Sequence, residues 1–218
     1  MKKKVCIFDL DGTLLDTVNT IAYYCNYTLR HFGFPENPPE KYKYFAGDGA
    51  LNLLHRALGA HNLDSKENFE KTYPFYIAEY DKDTTYLTSH FEGMPETLRT
   101  LKDKGIILCV VSNKPVSSVK YVLPLFFDTD LFTEIHGSGS NLPVKPDPYF
   151  VNEIIKHLGV KREEVLYVGD TSTDMKTGKN ANVETVGVLW GFRERDELEQ
   201  SGADHIIENP RQLLDFFE

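Results

Sequence analysis

After Phe91 the chain alternates short β-rich runs with helical stretches, and no other feature of it narrows the possible folds so far. The runs "GIILCVVS", "EIHGSG", "EVLYVGD", "VETVGVLW" and "ADHIIE" are separated by segments such as "MPETLRTLKDKG" and "PDPYFVNEIIKHLG". Strands that alternate with helices are joined by crossovers, which implies an α/β fold with a doubly wound parallel sheet. "KVCIFDL" near the start is equally apolar and supplies another buried strand. Between it and Phe91 the pattern changes. "TVNTIAYYCNYTLRHFG", ending at a Gly33 cap, then "GDGALNLLHRALG" and "SKENFEKTYPFYIAEYDKD" carry helical spacing, and no convincing strand interrupts them. The expected organisation is an α/β core of residues 1–15 and 88–218, with a helical cap of residues 16–87 inserted after the first strand.

A chain of 218 residues is long enough to bury such a core. Its 24 Lys and Arg against 33 Asp and Glu give a net charge of -9, which disfavours a general nucleic-acid or anionic-membrane role. An anionic ligand then requires a locally positive site. Cys6, Cys25 and Cys109 are odd in number, lack CxxC spacing and sit among apolar residues, so they read as reduced core thiols of a cytoplasmic protein. Lys2 to Lys4 resemble the start of a signal peptide, but the apolar run behind them stops at Asp9. No other segment approaches transmembrane length.

In doubly wound sheets ligands bind beyond the carboxyl ends of the strands, so the residues ending each run are the candidates. The first run ends in Asp9 and Asp11, the second in Ser112 and Asn113, and the fourth in Asp170 with Asp174 four residues on; Lys145 lies in the loop before "PDPYFVNEIIKHLG". Each has a purely structural alternative. Asp11-Gly12 is a good hairpin turn, and Ser112 and Asn113 before Pro115 suit a helix cap. Lys145 suits a solvated side chain, and "GDTSTD" suits a strand, a loop and a cap. Against these alternatives stands the coincidence of four features, in order, at strand ends, with complementary charges.

"DLDGTLLDT", "VVSNKP", "KPDP" and "VGDTSTD" resemble the four motifs of the haloacid dehalogenase superfamily of phosphotransferases. The resemblance spans the whole α/β part and implies a Rossmann-like core, with the helical insertion similar to that superfamily's first type of cap. Within the superfamily, "YFAGDGALNLL", "SNKP" and "GVLWGFRERDEL" most resemble phosphoglycolate phosphatases and their close relatives. The resemblance implies Asp9 as a nucleophile that attacks phosphorus and forms an acyl phosphate, which water then cleaves. Two residues on, Asp11 points the same way in an extended segment and serves as acid and then base. Gly12 lets the backbone approach the phosphate, with amide N–H groups forming an anion nest. Carboxylates and phosphate repel one another, so the site requires a cation, and oxygen-only ligands suit Mg²⁺. The resemblance places the Asp9 and Asp170 side chains and the Asp11 carbonyl on that ion. Asp174 is expected to orient a ligating water or Lys145. Ser112, Asn113 and Lys145 are expected around the transferring oxygens, with Lys145 also holding Asp9 ionised.

Substrate choice then falls to the cap. The amides of Gly47 and Gly49 can meet an anionic leaving group at a helix start, or the loop can be a cap alone, with Asp48 an awkward neighbour for an anion. Arg56 can supply positive charge or face solvent. Trp190 and Phe192 can border the site or pack between core and cap. The expected activity is a Mg²⁺-dependent phosphatase for a small phosphorylated metabolite, 2-phosphoglycolate being the best single guess, in a monomer or homodimer. The alternatives are a sugar phosphomutase of the β-phosphoglucomutase type, a pyrophosphatase or nucleotide phosphatase on the same core, and a non-catalytic protein of this fold. The last is disfavoured by the presence of Asp9, Asp11 and Lys145 together.

Overall fold

The inner apolar runs become strands with both faces covered, while the two edge runs stay partly exposed. The computed structural model describes residues 2–139 and 141–217. The chain begins with β1 (Val5–Phe8), whose four side chains are all buried, and the two-residue β2 (Leu15–Asp16). Next come α1 (Val18–His31), α2 (Tyr42–Phe45), α3 (Ala50–Gly59) and α4 (Lys66–Tyr80). They are followed by β3 (Ser89–His90), α5 (Met94–Asp103), β4 (Ile107–Pro115), α6 (Val116–Phe126) and β5 (Phe132–Ser138). The last elements are α7 (Tyr149–Leu158), β6 (Val165–Gly169), α8 (Ser172–Asn180), β7 (Glu184–Val188), α9 (Arg195–Gln200) and β8 (His205–Ile207).

Six strands form one sheet in the order β5-β4-β1-β6-β7-β8, paired in parallel throughout. The chain fills one side of β1 with β4 and β5, then returns to fill the other with β6, β7 and β8. The strand order therefore reverses at β1, where a crevice opens beyond the carboxyl ends. Side chains alternate across the sheet. Cys6 and Phe8 join Leu98, Leu101, Val110, Leu166 and Val168 on one face, while Val5 and Ile7 join Cys109, Val111, Val151, Ile154 and Tyr167 on the other. Burial on both faces explains why the strands read as unbroken apolar runs rather than as alternating ones.

The chain divides into two compact units, Met1–Asp16 with His90–Glu218, and Thr17–Ser89. The second is helical and has its own core of Leu29, Tyr42, Leu54 and Leu58, all fully buried. A polar knot lies within it. Asn26 donates through Nδ2 to the Asn37 carbonyl (2.8 Å), and its Oδ1 accepts from the Asn37 N–H (2.9 Å) and the Tyr42 hydroxyl (2.6 Å). The chain leaves α1 through Gly33, at φ +73°, and the Phe34 N–H returns to the Leu29 carbonyl at 2.8 Å. Ser65 caps α4 by accepting from the Asn68 N–H.

All three cysteines are buried free thiols. Burial pushes Cys25 and Cys109 up to about 12. Among the described residues no helix is long and apolar enough to cross a membrane.

Leu98 on α5 is fully buried against the sheet, whereas Leu125 on α6 is 55% exposed. Leu98→Ala is expected to cost about 2–5 kcal/mol in a urea melt, through lost burial and the cavity left behind. Leu125→Ala should stay within about 0.5 kcal/mol of the parent. Equal midpoints for the two variants would mean that α5 does not seal this face.

Candidate active site

The site is built where β1 ends between its two neighbours. Phe8 lies opposite Val110 of β4 and Val168 of β6, so the next residue, Asp9, emerges between two other strand ends. The Asp9 N–H still donates to the Val168 carbonyl (2.9 Å), and the chain then turns, with the Leu10 N–H donating to Asp9 Oδ1 at 2.6 Å. Since β1 pairs in parallel on both sides, Asp11-Gly12 is not a hairpin turn but the start of a loop. On one flank β4 shifts register after Val111 and runs on through Ser112 and Asn113 to Pro115, and α6 begins only at Val116. Ser112 and Asn113 thus lie on the extended strand end rather than capping the helix.

A buried ammonium organises the carboxylates. Lys145 Nζ stands 2.8 Å from Asp9 Oδ1 and 2.7 Å from Asp174 Oδ1, and its side chain is 1% exposed. Asp174 Oδ2 accepts from the Thr171 hydroxyl (2.7 Å) and N–H (3.1 Å), closing the capping box of α8. The helix-cap reading of "GDTSTD" is therefore true, and the same carboxylate holds Lys145. Asp170 accepts from the Thr13 hydroxyl at Oδ1 and from the Phe192 N–H at Oδ2, both at 2.8 Å. Among the described residues nothing donates to Asp9 Oδ2.

Carboxylate oxygens of Asp9, Asp170 and Asp174 lie within 4.8 Å of one another, and all three residues are buried. Burial pushes Asp170 up to about 7, with the Asp174 charge adding to it and the bonds from Phe192 and Thr13 opposing. Burial likewise raises Asp9 well above the carboxylate range, against the pull of Lys145. For Lys145 burial acts downward, but the carboxylates of Asp174 and Asp9 outweigh it and hold the ammonium well above the ordinary lysine value. Three buried carboxylates thus converge around one ammonium, which pairs with only two of them, in a site with oxygen donors only. That donor set fits a hard divalent cation, which would supply the missing charge.

The remaining expected residues divide into two groups. Asn113 spends both ends of its amide on the backbone of Lys145, Nδ2 donating to the carbonyl (3.2 Å) and Oδ1 accepting from the N–H (2.8 Å). It fixes the lysine loop, which lacks a ladder of its own, and these bonds leave one N–H of its amide as a donor for a ligand's oxygens. Gly12, at φ +87°, gives its N–H to the Leu15 carbonyl (2.8 Å) rather than to an anion nest. Its lack of a side chain makes room for Asp170, since a Cβ there would lie 2.2 Å from Asp170 Oδ2. Gly47, Gly49 and Arg56 all belong to the helical unit. Gly47 and Gly49 have positive φ, and Arg56 closes on the loop between them, its Nη1 and Nη2 donating to Asp48 at 2.5 and 2.6 Å. The neighbour that looked awkward for an anion is the partner of Arg56.

Lys114, Thr13, Gly169 and Gly191 escaped the sequence reading, whereas Trp190 and Phe192 were among the residues that could border the site. Lys114 Nζ lies 3.1 Å from Asp11 Oδ1 and 3.4 Å from Oδ2. Thr13 and the Phe192 N–H orient Asp170, and the Trp190 indole N–H donates to the Thr13 carbonyl at 3.0 Å. A Cβ on Gly191 would lie 2.3 Å from Asp170 Cβ and 2.4 Å from the Gly12 carbonyl, and one on Gly169 would lie 2.2 Å from Asp174 Cβ. The only sequence signal for these was their neighbourhood, in "SNKP", "DGT", "VGD" and "LWGF".

Known proteins resemble this chain over nearly its whole length. The family model for haloacid dehalogenase-like hydrolases matches residues 6–188. Phosphoglycolate phosphatase from Haemophilus influenzae is 31% identical over 97% of this chain and 96% of its own length. Its counterpart from Aquifex aeolicus is 32% identical over 97% and 95%. Among solved structures, a predicted phosphoglycolate phosphatase from Haemophilus somnus superposes with a TM-score of 0.91 at 26% identity, covering 100% of this chain and 99% of its own. A haloacid dehalogenase-like family hydrolase from Streptococcus pneumoniae shares the fold, with a TM-score of 0.88 at 23% identity and 99% of each chain covered.

Gly191→Ala tests the packing around Asp170. The added carbon meets the Gly12 backbone as well as the Asp170 side chain, so the loop must shift. The expected outcome is a loss of about 1–3 kcal/mol in a denaturant melt, typical of overpacking. A variant with parental stability would contradict this packing.

Proposed function

Since the chain belongs to the haloacid dehalogenase-like hydrolase family and is a phosphoric monoester hydrolase, we propose that it is a Mg²⁺-dependent phosphatase acting through a phosphoaspartate on Asp9, with 2-phosphoglycolate its preferred substrate. The observation that carries this reading is the one-sided tethering of Asp9. Its Oδ1 is held by Lys145 and the Leu10 N–H, while Oδ2 accepts from no described residue. A carboxylate fixed by one oxygen has the other available for in-line attack. The substrate assignment rests on the phosphoglycolate phosphatases of H. influenzae and A. aeolicus, which match nearly the whole chain.

In the first half-reaction Asp9 Oδ2 bonds to phosphorus, and the bond from phosphorus to the ester oxygen breaks with its electron pair going to that oxygen. Asp11 supplies the proton that makes it an alcohol. In the second, water attacks phosphorus, Asp11 takes its proton, and the Asp9 carboxylate is restored with release of inorganic phosphate. The Ser112 hydroxyl and the Lys145 ammonium face the phosphoryl oxygens, where charge builds up. Asp9, Asp170 and the Asp11 carbonyl would hold Mg²⁺, whose charge offsets the repulsion between carboxylates and phosphate.

Asp9→Asn should abolish turnover, while Asp11→Asn should keep substrate binding and lose about 10²- to 10⁴-fold in rate. Acid quenching of the wild-type enzyme during turnover of ³²P-labelled substrate should trap label on Asp9. Parental activity in Asp9→Asn, or a quenched chain free of label, would defeat the covalent route. Ca²⁺ takes more ligands than Mg²⁺ and often both oxygens of a carboxylate. It is expected to inhibit competitively with Mg²⁺, and full activity with Ca²⁺ as the sole bound divalent ion would contradict an attacking role for Oδ2.

A further inference from the structure

We propose that Lys114 is a positioning residue for Asp11, fixing the carboxyl group that exchanges protons with the leaving oxygen and then with water. The inference rests on the acid/base reading of Asp11. Lys114 Nζ reaches both carboxylate oxygens, at 3.1 and 3.4 Å, across 103 residues of sequence, and its side chain is 7% exposed. A lysine is rarely so buried unless its charge is paired. Its place on β4 explains the pairing. Ser112 and Lys114 share the end of that strand where its register shifts, and the Lys114 N–H donates to Ser112 Oγ at 3.2 Å. The strand that presents a hydroxyl to the phosphoryl group thereby presents an ammonium to the acid beside it.

An aspartate at the start of a loop can swing about two side-chain torsions, and catalysis by it requires hydrogen-bond reach of the ester oxygen. An ammonium bridging both oxygens removes that freedom. When the proton has passed to the leaving oxygen, the carboxylate left behind is already opposite a positive charge, and it stays in place to receive a proton from water.

The test is the dependence of kcat/KM on the leaving group, because kcat/KM reports the first phosphoryl transfer and excludes the common hydrolysis of the intermediate. Wild type, Lys114→Met, Lys114→Arg and Asp11→Asn are compared on 2-phosphoglycolate and on aryl phosphates down to 4-nitrophenyl phosphate, whose leaving group needs little protonation. Lys114→Met should lose about 10- to 100-fold on the alkyl ester, a part of what one acid/base group contributes, and several-fold less on 4-nitrophenyl phosphate. Lys114→Arg should recover most of the alkyl-ester activity. Equal losses on all esters in Lys114→Met, with Asp11→Asn still selective against the alkyl ester, would overturn the role of Lys114 alone. Equal losses across the series in Asp11→Asn as well would overturn the acid role of Asp11, and the proposal with it.

Discussion

One ammonium shared between two buried carboxylates is the interaction on which the site depends. Removing Asp9, Asp170 and Asp174 from water is costly, and a buried charge left without its partner typically destabilises by about 3–5 kcal/mol. Lys145 answers two of the three charges at 2.8 and 2.7 Å. Its loop has no strand to align it, so the Asn113 amide takes over, gripping the Lys145 N–H and carbonyl together. Further compensation comes from the α8 N-terminus, whose dipole favours negative charge where Asp174 sits in its first turn, and from the Thr13 hydroxyl and Phe192 N–H that donate to Asp170.

Such a cluster can be assembled only where three strand ends converge. β1 holds the centre of the sheet with β4 and β6 on either side, so Ser112, Asp9 and Asp170 issue from adjacent strands although more than 150 residues separate the first aspartate from the last. The parallel sheet positions the backbone of all three, and the loops need only supply Lys145 and the glycines. The helical unit is built by itself. Its core of Leu29, Tyr42, Leu54 and Leu58, with the Asn26–Asn37–Tyr42 knot, is complete in itself.

What was legible in the sequence follows from the same physics. The strands could be read because burial on both faces makes them continuous apolar runs, and the helical insertion because its spacing changes period. Asp9, Asp170 and Lys145 stood out because charge at the end of an apolar run needs an explanation. The duties of Asn113 and Gly12 were not legible, since nothing local says whether an amide will face a ligand or a neighbouring loop. Lys114 looked like an ordinary residue of "SNKP", because its direction depends on how far β4 stays extended. The Thr13 to Asp170 bond joins positions 157 residues apart, and no periodicity reports a contact of that kind.

Three glycines, Gly12, Gly169 and Gly191, press their bare α-carbons against Asp170 and Asp174. Any change at these codons that alters the amino acid introduces a β-carbon, and no smaller residue exists to step through. Drift can therefore rework the outer faces of the sheet and the whole helical insertion while these positions stay closed. New substrate preferences in a lineage of this chain must then arise elsewhere, with the carboxylate cluster inherited as a single block.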